Sequence, residues 1–183
     1  GLLLILDAES GNSLLIQSRY TGREQPFIVP DWAQKLSESD LSNRPLTPTG
    51  ENFWWVETGG MQDSVRDAET IRDDLYRLSL GVWGLIQNHP DGRARGWELD
   101  WLGALPGKRE SFRYVGDLIL TQGDILSEGR FADRVAYGGW TMDDHPPAGL
   151  FHREHPTVFH HTPSPYGIPY RCLYSRNVAN LFF

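Results

Sequence analysis

The residues most able to do chemistry stand together in Lys108-Arg109-Glu110-Ser111, directly after the Pro106-Gly107 break and between two apolar stretches, Trp97 to Leu105 and Phe112 onward. Charged side chains between buried-looking segments must face solvent, pair with one another, or face a ligand. The forked guanidinium of Arg109 suits bidentate binding of a substrate carboxylate or of developing negative charge. Lys108 and Ser111 would add a cation and a hydroxyl beside it. An ion pair of Arg109 with Glu110 or another carboxylate, with a purely structural role, is the competing reading.

Two further groups are candidates. Asp143-Asp144-His145-Pro146-Pro147 joins a titratable imidazole to carboxylates on a proline-stiffened segment, so His145 could donate or accept a proton. Tyr166-Gly167-Ile168-Pro169-Tyr170-Arg171 places an aromatic ring and a second guanidinium side by side. Both also read as ordinary loop chemistry.

Other constellations are weaker. Five of the six histidines fall between His145 and His161, but their spacing matches no zinc signature and includes no H-E-x-x-H, so the expectation is no metal, with a His-ligated metal enzyme as a remote alternative. Carboxylates adjacent in the chain, Asp73 with Asp74 and Asp143 with Asp144, point apart and make no acid/base dyad. There is no G-x-G-x-x-G, no G-x-x-x-x-G-K-[ST] and no G-x-S-x-G. Seven tryptophans leave open a non-catalytic ligand- or carbohydrate-binding or assembly module, stacking sugars on Trp54, Trp55 or Trp140, although core packing is the commoner use of the residue.

The totals set the frame. A chain of 183 residues suits a single domain over residues 1–183, able to bury roughly 70% of its unfolded surface. A net charge of −7 with scattered cations argues against nucleic acid as a partner. No stretch approaches the roughly 20 apolar residues of a membrane span, and a homo-oligomer stays open. The lone Cys172 excludes an internal disulfide and any Cys-based cluster, and its apolar neighbourhood reads as that of a buried thiol. Gly1 leads straight into an apolar run and the chain closes on Leu181-Phe182-Phe183, the pattern expected of a piece of a longer protein.

Several elements must position these residues. Val65, Ala68, Ile71, Leu75, Leu78, Val82 and Leu85 recur every three or four residues and predict a long amphipathic helix. Asp63 or Ser64 would cap its start, and Asn88-His89-Pro90-Asp91-Gly92 would end it, with Arg66, Asp73, Asp74 and Arg77 on its solvated face. A hairpin is expected from Leu2–Leu6 and Ser13–Ser18, and strands at 53–56, 97–105, 114–121, 135–137, 171–174 and 178–183. Gly123 to Leu126 reads as a short capped helix. Residues 21–50 form a Pro-rich excursion anchored by Phe27, Ile28, Trp32 and Leu36, and 143–169 should lack regular structure. Strands and one long helix without βαβ regularity predict an α+β fold: a mixed, largely antiparallel sheet, one amphipathic helix and long Pro-rich loops.

Seven short segments then resemble a known family. They are E-T-G-G at 57–60, R-D-A-E-x-I-R-D-x-L at 66–75, G-V-W at 81–83, L-P-G-K-R-E-S at 105–111, Y-V-G-D-x-x-L-T at 114–121, Y-G-G-W at 137–140 and I-P-Y-R-x-L-Y-S-R-N at 168–177. In order and spacing they look like the FAD-dependent oxidoreductases of the heterodisulfide-reductase-A-like group. Phe112 departs from the pattern, which has a second basic residue there. The resemblance implies hydride transfer between a small organic substrate and the flavin. On that reading Arg109, oriented by Glu110, and His145 are expected in catalytic roles, with Lys108, Ser111, Tyr170 and Arg171 binding substrate. It further implies that this chain is the substrate or cap domain, that the FAD-binding domain of the same polypeptide is its partner, and that the piece alone binds no FAD and is inactive.

Overall fold

In the computed structural model the described residues are 5–6, 11–49, 53–108 and 112–183. Along the chain run β1 (Ile5–Leu6), β2 (Asn12–Ser13), β3 (Ile16–Tyr20), β4 (Glu57–Thr58), α1 (Ala68–Gln87), β5 (Trp97–Leu102), β6 (Gly107–Lys108), β7 (Phe112–Arg113), α2 (Gln122–Leu126), β8 (Arg134–Gly138), β9 (Met142–Asp144), β10 (Val158–His160) and β11 (Tyr166–Pro169). Every strand pairing among the described residues is antiparallel, so the class is α+β. Instead of one sheet there are four two-stranded sheets and one of three strands. The chain divides into two compact units, the larger made of Ala8–Ser111 and His145–Pro156, the smaller of Gly1–Asp7, Phe112–Asp144 and Thr157–Phe183.

The larger unit is built on α1. Its buried face, Ile71, Leu75, Leu78, Val82 and Ile86, repeats every three or four residues and packs into two clusters with Ile16, Leu41, Phe53, Trp55 and Leu150, and with Leu14. The helix begins three residues later than Val65 suggests. Asp63 Oδ1 accepts the amides of Val65 and Arg66 (2.9 Å each), and Asp67 Oδ2 accepts that of Asp63, holding 63–66 as a turn with Asp67 at the N-cap. At the other end Asn88 bonds both the N–H and the C=O of Phe27 through its side-chain amide. The excursion thus runs back along α1, where Gly81 and Gly84 let Gln34 and Val29 come close: a Cβ at Gly84 would stand 2.5 Å from Val29 Cγ2. Beside the helix β3 pairs with β5, and β2 lies between β4 and β6.

The smaller unit is different in kind. It holds the pairs β8–β11, β9–β10 and β1–β7, the capped helix α2 with its Thr121–Asp124 capping box, and two isolated bridges, Gly116–Ser175 and Tyr174–Phe182. Val115 is its one buried large aliphatic side chain among the described residues, and both hydrophobic clusters belong to the larger unit.

Several expected strands are corrected. Residues 53–55 form a turn, with Phe53 at φ +53°, because Phe53, Trp55 and Val56 all point into the core and cannot alternate. The proposed hairpin does not form: Ile5–Leu6 pairs with Phe112–Arg113 and Ile16–Tyr20 with Trp97–Leu102, while Leu2–Leu4 lie outside the described residues. Of 114–121 only Gly116 makes a bridge, the strand having ended at Arg113. Residues 171–174 begin in a 3-10 turn at Tyr170–Cys172, and 178–183 contribute a single bridge. Conversely the 143–169 segment contains β10 and β11 and the end of β9. These strands are joined by backbone pairing across long connections, and no apolar/polar alternation in the sequence marks them: β9 and β10 are mostly exposed, and the buried positions of β11 are Gly167 and Pro169.

Candidate functional site

The larger unit buries an ionisable pair. Glu57 opens β4 directly after the core residues Trp55 and Val56, and only 1% of it is exposed. After it Gly59, at φ +80°, turns the chain against Ile71 of α1, and Gly60 lies so close to Pro147 that a Cβ would meet its carbonyl oxygen at 2.5 Å. Gly149, at φ +54°, is pressed against the backbone of Glu57. These close approaches seat the 145–150 turn on E-T-G-G, and His145, 4% exposed, reaches Glu57 with Nδ1 3.0 Å from Oε2. Trp54 packs its ring edge-on against the imidazole at 5.6 Å.

Arg44 holds the next part of the same turn. Its NH1 donates to the carbonyl of Glu154 (2.8 Å), and its NH2 to those of His152 (3.0 Å), Gly149 (3.2 Å) and Leu150 (3.4 Å). Burial pulls the guanidinium below its ordinary pKa, and the charge of Glu57 opposes that pull. Arg44, Glu57 and His145 thus make one buried polar group in an apolar unit. A carboxylate facing Nδ1 fixes the ring and its tautomer, the arrangement that prepares an imidazole to handle a proton. With side-chain exposures of 3% and 1%, however, the pair does not meet bulk solvent.

The other sequence candidates are placed as follows. Arg109, Glu110 and Ser111 lie outside the described residues. Lys108 ends β6, exposed, in register with Asn12, and its charge helps hold Asp63 below the usual carboxylate range, behind the larger effect of the Arg66 and Val65 amides. In the smaller unit Tyr170 is 45% exposed and packs against Tyr174 with ring centres 5.1 Å apart. Arg171 grips Asp133 in a fork, Nε to Oδ2 at 2.9 Å and NH2 to Oδ1 at 3.1 Å. Its guanidinium is therefore engaged with a carboxylate of its own unit. Cys172 is half-buried rather than fully enclosed.

Sequence reasoning missed Glu57 and Arg44 as site residues. A signal for the first was present: a lone carboxylate between Trp54-Trp55-Val56 and Thr58-Gly59-Gly60 is as anomalous as Lys-Arg-Glu-Ser between strands. Arg44, in Ser42-Asn43-Arg44-Pro45, carries no such mark.

The residues of the two alternatives are placed as follows. Among the described residues no group of three or more His, Cys, Asp and Glu is placed to hold a metal. Of the tryptophans proposed as a sugar platform, Trp55 is 2% exposed and in the core, Trp54 is half-buried against His145, and Trp140 alone is open, at 76%.

A dinucleotide cofactor needs free amides at a helix N-terminus for its pyrophosphate. The described residues do not fit that half of FAD. At the start of α1 the Val65 and Arg66 amides are taken by Asp63, and Asp67 and Glu69 add negative charge. No parallel strand pair that could flank a crossover helix exists among the described residues.

No curated protein and no solved structure matches this sequence. A family model does, over residues 16–183, and on that span the chain belongs to the FAD dependent oxidoreductase family.

Proposed function

We propose that this chain is the substrate-side part of an FAD dependent oxidoreductase whose longer polypeptide transfers hydride between a small organic substrate and the flavin. The observation that carries the reading is the Glu57–His145 pair, an acid/base couple kept in the apolar interior at 3.0 Å when a packed hydrophobic pair would fill the space at no desolvation cost. Family membership supplies the redox class, and the Val65 and Arg66 amides at the start of α1, already taken by Asp63, support a dinucleotide cradle elsewhere in the longer polypeptide. In this reading His145 handles a proton and Glu57 holds its ring. Arg109, oriented by Glu110, engages the substrate's negative charge, and Lys108, Ser111, Tyr170 and Arg171 are the residues proposed to bind substrate.

The test compares the isolated chain with the longer polypeptide, each passed through gel filtration with FAD and read by flavin absorption. Flavin should stay with the longer polypeptide and leave the isolated chain. Stoichiometric retention by the isolated chain would sink the substrate-side reading. Arg109→Ala in the flavin-loaded enzyme should weaken substrate affinity or turnover by at least tenfold, the scale of one lost charge-assisted contact; unchanged values would remove Arg109 from the site.

One observation favours a second reading, a non-catalytic assembly module: the smaller unit exposes Val135, Tyr137, Trp140, Val158 and Phe159 and has almost no core of its own.

A further inference from the structure

Arg44, 7% exposed, is the one buried guanidinium among the described residues. A 3-10 turn at Glu38–Leu41 carries Leu41 into the core. Asn43 then takes the left-handed conformation that asparagine tolerates, at φ +66°, and the Arg44 amide closes on the carbonyl of Leu41 at 3.1 Å. The guanidinium meets carbonyls from four residues of one segment, Gly149, Leu150, His152 and Glu154, and the Asn43 amide donates to a fifth, that of Arg153, at 3.2 Å. Converging carbonyls select a cation with several N–H donors in a fixed fan, which arginine has and lysine lacks. Between His145 and the gripped residues the chain is stiff. Pro146 and Pro147 fix two φ angles, and the Gly149 amide closes the turn on the carbonyl of Pro146 at 2.9 Å. Gly149 itself is pressed on the backbone of Glu57.

We propose that Arg44 is the positioning residue of the Glu57–His145 couple: its fork, by holding 149–154, sets where the His145 ring stands relative to Oε2 of Glu57. It acts through main-chain carbonyls and the proline-stiffened link, so the imidazole directly before Pro146 is held wherever the gripped residues are held. The same grip keeps Gly149 on the Glu57 backbone, and both members of the couple are thereby referred to one guanidinium. The inference rests on the reading of His145 as the proton-handling group, for which a misplacement of about 1 Å costs roughly 10²-fold in rate. Arg44 and Glu57 also attract one another as charges. The decisive variant therefore keeps the charge and removes the fork.

That variant is Arg44→Lys, read by nuclear magnetic resonance of the chain with isotope-labelled histidine. The signal is the Nδ1 proton that His145 donates to Glu57, followed by its exchange with solvent and assigned among the six histidines with His145→Gln. In Arg44→Lys this proton should exchange at least tenfold faster, while the Leu75 and Leu78 amides of α1 keep their rates. A loop staple without a positioning role would move ring proton and α1 amides together, in proportion to the stability lost. Should Arg44→Lys not fold, native-state exchange of the wild type at low urea decides. The His145 ring proton and the amides of Gly149, Phe151 and His152, all bonded within the gripped turn, should then open in one event, ahead of α1. Unchanged ring-proton exchange in the folded variant, a loss matched by the α1 amides, separate opening of ring proton and turn amides, or a wild type with no such proton on Nδ1 overturns the proposal. Flavin retention by the isolated chain would sink the functional reading and leave these rates as they are, so the two failures are distinct.

Discussion

Nδ1 of His145 lies 3.0 Å from Oε2 of Glu57 across 88 residues of sequence, both side chains buried in the larger unit. Removing one member of a buried pair leaves the other's charge or hydrogen-bonding capacity stranded, and that costs about 3–5 kcal/mol. Glu57→Ala should therefore lower the unfolding free energy by that amount, read as a shift of the urea midpoint at constant slope. Glu57→Gln keeps an acceptor for Nδ1 and should lose clearly less. Equal losses for the two variants would show that Glu57 acts as filler and that the pair has no electrostatic content.

Gly81 and Gly84 set a competition between two effects of known size. Alanine in a helix interior is favoured over glycine by about 1 kcal/mol. At Gly81, however, a Cβ would collide with the carbonyl oxygen of Gln34, a backbone atom that cannot swing aside. Overpacking against a fixed neighbour costs about 1–3 kcal/mol, so Gly81→Ala should be net destabilising in spite of its propensity. The Gln34 amide, bonded to the carbonyl of Arg77 at 2.9 Å, should lose protection in hydrogen exchange while the Leu75 and Leu78 amides keep theirs. A stabilised variant with Gln34 still protected would refute the close approach.

These two cases show what a sequence can and cannot disclose. The buried face of α1 was legible because its period is local: Ile71, Leu75, Leu78 and Val82 encode both helix and orientation within a dozen residues. The short helix α2 was legible for the same reason, its cap and its N3 carboxylate being neighbours. Strands β9 and β10 were not, because their residues are mostly exposed and carry no alternation, and β11 was not, because its two buried positions are Gly167 and Pro169, which do not read as an apolar strand face. Phe53 to Val56 failed in the opposite sense, apolar throughout and bent by burial into a turn. His145 was singled out by its residue type, but its partner was set by the glycine contacts at Gly60 and Gly149, which no pattern within either segment expresses.

Asp133 is expected to make the smaller unit sensitive to acid. Hydrogen bonds from the Arg171 guanidinium hold its carboxyl below the usual carboxylate range. A depressed folded-state value stabilises the fold above the unfolded pKa of roughly 3.9, and that contribution is lost as pH falls through the lower folded value. Wild-type protein should thus lose stability below about pH 4 more steeply than Asp133→Asn, which has no carboxyl to protonate. Amide hydrogen exchange at Tyr170 and Arg171, whose N–H groups donate to the Asp133 carbonyl and carboxylate, reads the loss locally. Both partners are partly exposed and screened, so the effect should be small and should shrink further in high salt. Identical acid slopes for the two proteins would show that the fork does not persist in solution.

Cys172 gives a probe of the smaller unit's packing. It borders a cavity of about 330 Å³ lined also by Tyr114, Val115, Leu118, Ile119 and Leu120, and burial raises its thiol above the ordinary value, a hydrogen bond from the Leu120 backbone opposing the rise. An unperturbed thiol of pKa near 8.5 is roughly a quarter thiolate at pH 8, and only the thiolate attacks an alkylating agent. Native Cys172 should therefore react with iodoacetamide several-fold more slowly than the same protein in urea, and its rate should still be climbing above pH 9. The half-buried position rules out complete protection, which separates this expectation from that of a sealed core thiol. If the native rate at pH 8 equals the rate in urea, the wall of apolar residues around Cys172 is open in solution, and the packing of the 114–120 segment on the 3-10 turn at Tyr170–Cys172 is not maintained there.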